Sequence, residues 1–229
     1  MLDWKMEQIA FGTDNFAENP DPRVPCILLL DVSSSMTGEP IAQLNEGLKA
    51  YQQSLQADSL ALKRVEVCVI TFGQSVEVVT PFTIASQFTP PELVANGLTP
   101  MGTAVNKAID ELEARKSVYR ENGIAYMRPW LFLISDGEPN DVGWESAAAR
   151  SVAGEQAKSF AMFCVGVGSA NLNTLKMFTI REPLRLKGLE FSRLFQWLSS
   201  SQQSASRSTP GEEVPLQNPA TPDGWASIG

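Results

Sequence analysis

Residues 26–31 read CILLLD, an unbroken aliphatic run that stops at a carboxylate. A strand that is apolar at every position, rather than at every second one, has to be buried on both faces. The same kind of run returns in VEVCVITFG (65–73), RPWLFLISDG (128–137) and FAMFCVGVG (160–168). Between these runs the apolar spacing changes to steps of three and four, the period of an amphipathic helix. Ile41, Leu44, Leu48, Tyr51 and Leu55 define one such helix, with Pro40 near its first turn. A second runs from Thr103 to Gly123, an alanine-rich third covers 145–158, and a short one lies near 172–178. A short strand is expected around 184–186, and Phe191, Leu194, Phe195 and Leu198 mark a last helix.

Strands alternating with helices predict an α/β fold: a doubly wound, mostly parallel central sheet with helices on both faces. The segment SVEVVTPF (75–82) follows its predecessor after a minimal turn, so this pair should be an antiparallel hairpin. The length of 229 residues suits one large domain with extensions. The expected layout is an N-terminal extension over 1–24, a domain over 25–200 and a Ser/Pro/Gly-rich tail over 201–229. The tail has little to fill a core and reads as flexible or loosely docked; Trp225, its one conspicuous apolar residue, reads first as a solvated end, with an anchor on the domain or a partner contact as the alternatives.

Composition narrows function. The net charge of −8 argues against nucleic-acid binding, which needs clustered Lys and Arg. The N-terminus has no basic start followed by an apolar run, and no stretch approaches the roughly 20 apolar residues that span a bilayer. A cytoplasmic protein without membrane contact is therefore expected. Cys26, Cys68 and Cys164 each sit in a strand-like run and read as reduced packing residues. The chain has no histidine, which removes Ser–His and Cys–His nucleophile pairs and imidazole metal ligands together.

Three polar segments fall where strands give way to helices, the edge at which open α/β sheets place ligands. They are DVSSSM with Asp31, Ser33 and Ser35, TPMGT with Thr103, and SDGEPND with Asp136. Taken singly, each has a plain structural reading as a helix cap or turn. Taken together, the D-x-S-x-S spacing lets alternate side chains converge, and all five donors are oxygens. Such a set suits a hard cation, Mg²⁺ first, with Mn²⁺ or Ca²⁺ as alternatives. Two carboxylates and three neutral hydroxyls leave the ion electrophilic, so a carboxylate from a partner protein is a natural sixth ligand.

These three motifs, in this order, resemble the metal-ion-dependent adhesion site of von Willebrand factor type A domains. The resemblance places the family's ligands on Asp31, Ser33, Ser35, Thr103 and Asp136. It implies a central sheet with one antiparallel edge strand and a sixth metal position filled by an acidic side chain of a partner. More narrowly, EPIAQLNEGL, LKRVEVCVITFG, YMRPWLFLISDGEPND, REPLRLKGLEF, LFQWLSSS and the PDGWASI tail resemble the bacterial TerY-like group. That likeness covers nearly all of residues 10–229 and implies a cytosolic adaptor of tellurite-resistance and stress systems, working beside kinase- or phosphatase-like partners. The expected function is thus a metal-dependent interaction module and not an enzyme. A Mg²⁺-dependent phosphohydrolase is the alternative, with Glu39, Glu138 and Asp141 as nearby bases. Against it, Ser33 stands where D-x-D phosphotransferases carry a second aspartate, and the three loops hold no Lys or Arg.

Overall fold

The structure is a computed structural model that describes Phe16, residues 19–212 and residues 214–228. Most of the expected N-terminal extension, residues 1–15, 17 and 18, lies outside the described residues. Among the described residues seven strands, numbered in chain order, form one sheet in the order β3-β2-β1-β4-β5-β6-β7. Strands β1 (Val24–Asp31), β2 (Val65–Phe72), β4 (Trp130–Ser135), β5 (Ala161–Gly166) and β6 (Leu184–Leu186) run parallel. The hairpin strand β3 (Val76–Ile84) is antiparallel on one edge, as its short connection to β2 requires. On the other edge, β7 (Ala226–Ile228) is also antiparallel.

The continuous apolar runs do what their pattern demands. Every residue of β1, β2 and β4 is buried, and alternate side chains enter two separate cores. Leu28 and Leu30 face α1 (Glu39–Gln56) and α6 (Phe191–Arg207) in one core. Ile27 and Leu29 join α3 (Met101–Glu121) and the alanine-rich α4 (Trp144–Gln156) in the other. The small helices α2 (Ala61–Arg64) and α5 (Leu172–Lys176) complete the layers. All three cysteines are free and buried, and burial pushes each thiol up, Cys68 to about 12. No helix among the described residues is long and apolar enough to cross a membrane.

The C-terminal region departs from expectation. The last helix does not stop near Leu198 but continues to Arg207. Its polar residues still have partners inside: Tyr51 Oη donates to Gln202 Oε1 at 2.6 Å, and the Ser54 and Ser199 hydroxyls meet at 2.6 Å. Trp225 is not solvated; it is 3 % exposed, packed edge-on against Trp197 with ring centres 5.6 Å apart. The segment before it is tied down by Trp197 Nε1 donating to the Gln217 carbonyl and Lys187 Nζ donating to the Thr221 and Pro222 carbonyls. A Ser/Pro/Gly-rich stretch cannot build a core of its own, but one indole is enough to fasten it to a core built by others. Trp225→Ala is expected to lower stability by about 3 kcal/mol, read as a lower urea midpoint. Trp225→Phe should cost less, because the buried indole N–H finds no acceptor among the described residues.

Candidate metal centre

The carboxyl ends of β1 and β4 deliver the first and third motifs side by side, because these strands are neighbours in register. Asp31 closes β1 and is completely buried. Its Oδ1 accepts the Ser33 backbone N–H at 2.8 Å, and its Oδ2 accepts the Ser135 hydroxyl from the end of β4. Ser135 Oγ in turn accepts the Gly137 N–H at 3.1 Å, so the third loop is oriented by the same contact. Burial raises the Asp31 carboxyl above the ordinary carboxylate range; the Ser135 and Ser33 hydrogen bonds pull the other way, and the nearby Asp136 charge adds to the rise.

Above Asp31 the hydroxyls form a chain. Ser33 Oγ and Ser35 Oγ lie 2.9 Å apart, and Ser35 Oγ donates to Asp136 Oδ1 at 2.8 Å. Residues of the first and third motifs, 101 positions apart, thus meet directly. Ser33 is buried while Ser35 is exposed, so the cluster grades from the sheet end to the surface.

The second motif arrives by a different route. Between the two serines, Ser34 exchanges backbone and side-chain hydrogen bonds with Gly97: its N–H donates to the Gly97 carbonyl, and its Oγ accepts the Gly97 N–H, both at 3.0 Å. Gly97 has φ +87°, and a Cβ there would sit 2.2 Å from the Gln74 nitrogen, so only glycine lets this loop close on its neighbours. Thr103 does not open the helix as expected; α3 starts at Met101 and Thr103 lies in its first turn. Its hydroxyl donates to Asp141 Oδ2 at 2.8 Å, and the same carboxylate accepts the Thr103 N–H at 2.6 Å and the Gly102 N–H at 3.1 Å. Thr103 is therefore joined to the third loop through Asp141, whereas Ser33, Ser35 and Asp136 touch one another.

From the sequence Asp141 reads as a solvated loop residue flanking the site, or as a base in the alternative enzyme. It acts here as the N-terminal cap of α3 supplied from another loop, satisfying amide donors that the helix cannot bond itself. Five residues after Asp136, it was visible as an acid in SDGEPND, but its partner lies 38 positions away.

The donor chemistry fits a hard cation. Among the described residues no group of three or more His, Cys, Asp or Glu side chains gathers into a metal cluster. The residues that do converge are two carboxylates and serine hydroxyls, all oxygen donors. Ser35 and Thr103 each give their proton to a carboxylate, which leaves the hydroxyl lone pairs as donors to a cation.

Two outcomes follow for the metal-free protein. Because the folded Asp31 pKa lies above its unfolded value, its contribution to stability is fully present below the unfolded pKa and is lost as pH rises through the folded one. Asp31→Asn is therefore expected to raise the thermal midpoint in EDTA at neutral pH, with the gain shrinking in acid. Asp141→Ala should cost about 1 kcal/mol through the lost cap, measured by urea unfolding.

The family profile of the von Willebrand factor type A domain matches residues 26–185. Among solved structures the chain is similar to proximal thread matrix protein 1 of the mussel byssus, with TM-score 0.54 and 16 % identity over 80 % of this chain and 49 % of that one. It is similar to a von Willebrand factor type A protein from Catenulispora acidiphila, with TM-score 0.59 and 17 % identity over 80 % and 43 %. The pilus-tip protein Mfa5 domain of Porphyromonas gingivalis gives TM-score 0.60 and 10 % identity over 84 % and 99 %. The chain thus spans about half or less of the first two relatives, 49 % and 43 % of their lengths. No curated protein sequence matches it. With the sheet order, the strand-end loops and the profile match in agreement, the chain belongs to the von Willebrand factor type A domain family.

Proposed function

We propose that this chain is a metal-ion-dependent protein-interaction module. Asp31, Ser33, Ser35, Thr103 and Asp136 would hold one Mg²⁺, with Mn²⁺ or Ca²⁺ able to take the same oxygen donors, and a carboxylate from a partner protein would complete the coordination. The observation that carries this reading is the continuous chain Ser33–Ser35–Asp136 set above a buried Asp31. When bound, the ion supplies an electrophilic centre that accepts an oxygen ligand from outside. The chain's own residues do the rest. Asp31 orients the Ser33 backbone, Ser135 holds Asp31, Asp136 fixes the Ser35 hydroxyl, and Asp141 fixes Thr103.

An adaptor, not a catalyst, is the function this supports. Residues 31–39, 96–103 and 136–143 contain no Lys or Arg to hold a phosphoryl group. The finer assignment rests on the likeness of segments such as YMRPWLFLISDGEPND and REPLRLKGLEF to the TerY-like group. On that likeness we place the protein in the cytoplasm of a bacterium, in a tellurite-resistance or stress system, beside a kinase- or phosphatase-like partner.

The test is capture of partners in Mg²⁺ and in EDTA, alongside a thermal titration with each cation. A metal that binds only the folded state stabilises it by about 2.7 kcal/mol at one hundred times its Kd, a shift of several degrees. Wild type should gain that shift and capture partners only with metal; Asp31→Asn should lose both while staying folded. Because protons compete for Asp31, whose carboxyl burial holds above its ordinary value, metal affinity should rise with pH as that group ionises. Partner capture indifferent to EDTA and to Asp31→Asn would refute the reading, and turnover of phosphoesters lost in that variant would replace it with the hydrolase.

A further inference from the structure

A cleft of about 310 Å³ opens where β5 ends and β6 begins. One wall is residues 170–173 with the side of α5, and the other is the segment 182–185. Strand register sets its place: β6 runs parallel to β5 with Arg185 opposite Gly166, the last residue of β5. A Cβ on Gly166 would lie 2.8 Å from Leu172 Cδ2 and 3.0 Å from Ala170 Cβ, so a glycine lets the loop fold over the strand end. Open α/β sheets hold ligands beyond the carboxyl ends of their strands. None of the residues lining this cleft is among the five proposed metal ligands.

The polar groups on the two walls are mostly donors. Arg185 Nη1 donates to the Gly168 carbonyl at 2.5 Å and Nη2 to the Ala170 carbonyl at 3.0 Å, which fixes the guanidinium in place. Three of its five N–H groups are left over, and among the described residues no carboxylate pairs with it. Lys176 Nζ donates to the Arg181 carbonyl at 2.9 Å and to Glu182 Oε1 at 2.5 Å, so Glu182 offsets one of the two positive charges. Asn171 spends its Oδ1 on the Asn173 N–H at 3.0 Å and keeps its amide N–H groups, while the Asn173 side chain has no hydrogen bond among the described residues. A chain of net charge −8 thus holds a net positive charge in this cleft, surrounded by unspent donors.

We propose that this cleft binds a small phosphomonoester. The guanidinium fork of Arg185 matches two phosphate oxygens at once, and Lys176, Asn171 and Asn173 bring further donors from the facing wall. A carboxylate offers two oxygens to this set, whereas a phosphomonoester offers three and up to two charges. Leu172 and Pro183 give the organic part of the ligand apolar cover. The volume lies at the small end of the roughly 300–1,000 Å³ of ligand pockets, which suits a free small molecule better than a length of polypeptide.

Calorimetric titration of the full chain tests this, in EDTA so that the metal loops take no part. The probes are three dianions, glycerol 3-phosphate, succinate and sulfate, and a short phosphoserine peptide. Glycerol 3-phosphate should bind at least tenfold tighter than the other three. Arg185→Gln should weaken that binding at least tenfold. Because Arg185 also holds two carbonyls, Asn173→Asp is the second variant: it puts a negative charge in the cleft, removes no side-chain hydrogen bond among the described residues, and should weaken binding as much with the thermal midpoint unchanged. No binding of the ester, equal binding of the three dianions, or ester binding that survives Asn173→Asp overturns the proposal. Tightest binding of the phosphoserine peptide overturns it too, by giving the cleft to a modified protein.

Discussion

A charged side chain with no solvent exposure, at the end of an interior strand, is the constraint around which this end of the molecule is arranged. Asp31 is carried there by β1, whose neighbours on both sides are parallel strands. Taking a carboxylate out of water costs several kcal/mol unless donors replace the lost hydration. Ser33 N–H and the Ser135 hydroxyl are those donors, one from each of the two loops that must meet. Burial still dominates, and the raised pKa of Asp31 records the part that two hydrogen bonds do not offset. A cation at this position would relieve that cost, which is why burial and the proposed function belong together.

The three loops form one surface because they share hydrogen bonds, not because they are near in sequence. Ser34 holds Gly97, Thr99 holds Asn140, and Asp141 holds Gly102 and Thr103. Each contact also satisfies a backbone group that a loop over a sheet end would otherwise leave unpaired. Gly102 extends the same economy into the helical layer: a Cβ there would fall 2.5 Å from the Trp144 Cα, so a side chain would hold α3 away from the start of α4. A rigid surround of this kind keeps small hydroxyls in place, and serine and threonine have little mass of their own with which to do it.

At the opposite end of the sheet, burial of charge is handled by pairing. Glu66 accepts from Arg23 Nε at 3.0 Å, from Arg115 Nε at 2.8 Å and from the Tyr119 hydroxyl. Both guanidinium groups also lie over the Phe16 ring. The contrast is informative. Glu66, at the amino ends of the strands, is met by opposite charges within the chain, whereas Asp31, Asp136 and Asp141 at the carboxyl ends accept, among the described residues, from hydroxyl and backbone N–H donors. That asymmetry is what the proposed cation at the second end would balance.

Local sequence determined a good deal. Unbroken aliphatic runs specify doubly buried strands because water is excluded from both faces whatever the partner. The three-and-four spacing specifies helices because the period is set by neighbours a turn away. D-x-S-x-S brings its own side chains together because three residues of extended chain suffice. Only the tertiary structure decided that Ser135 would hold Asp31 and that Asp141 would cap α3. It also decided that Trp225 would be buried and followed by a second antiparallel edge strand. Those outcomes depend on groups 28 to 104 positions apart, and no short window of residues contains both halves of a contact whose free energy exists only once the sheet has set its strands side by side.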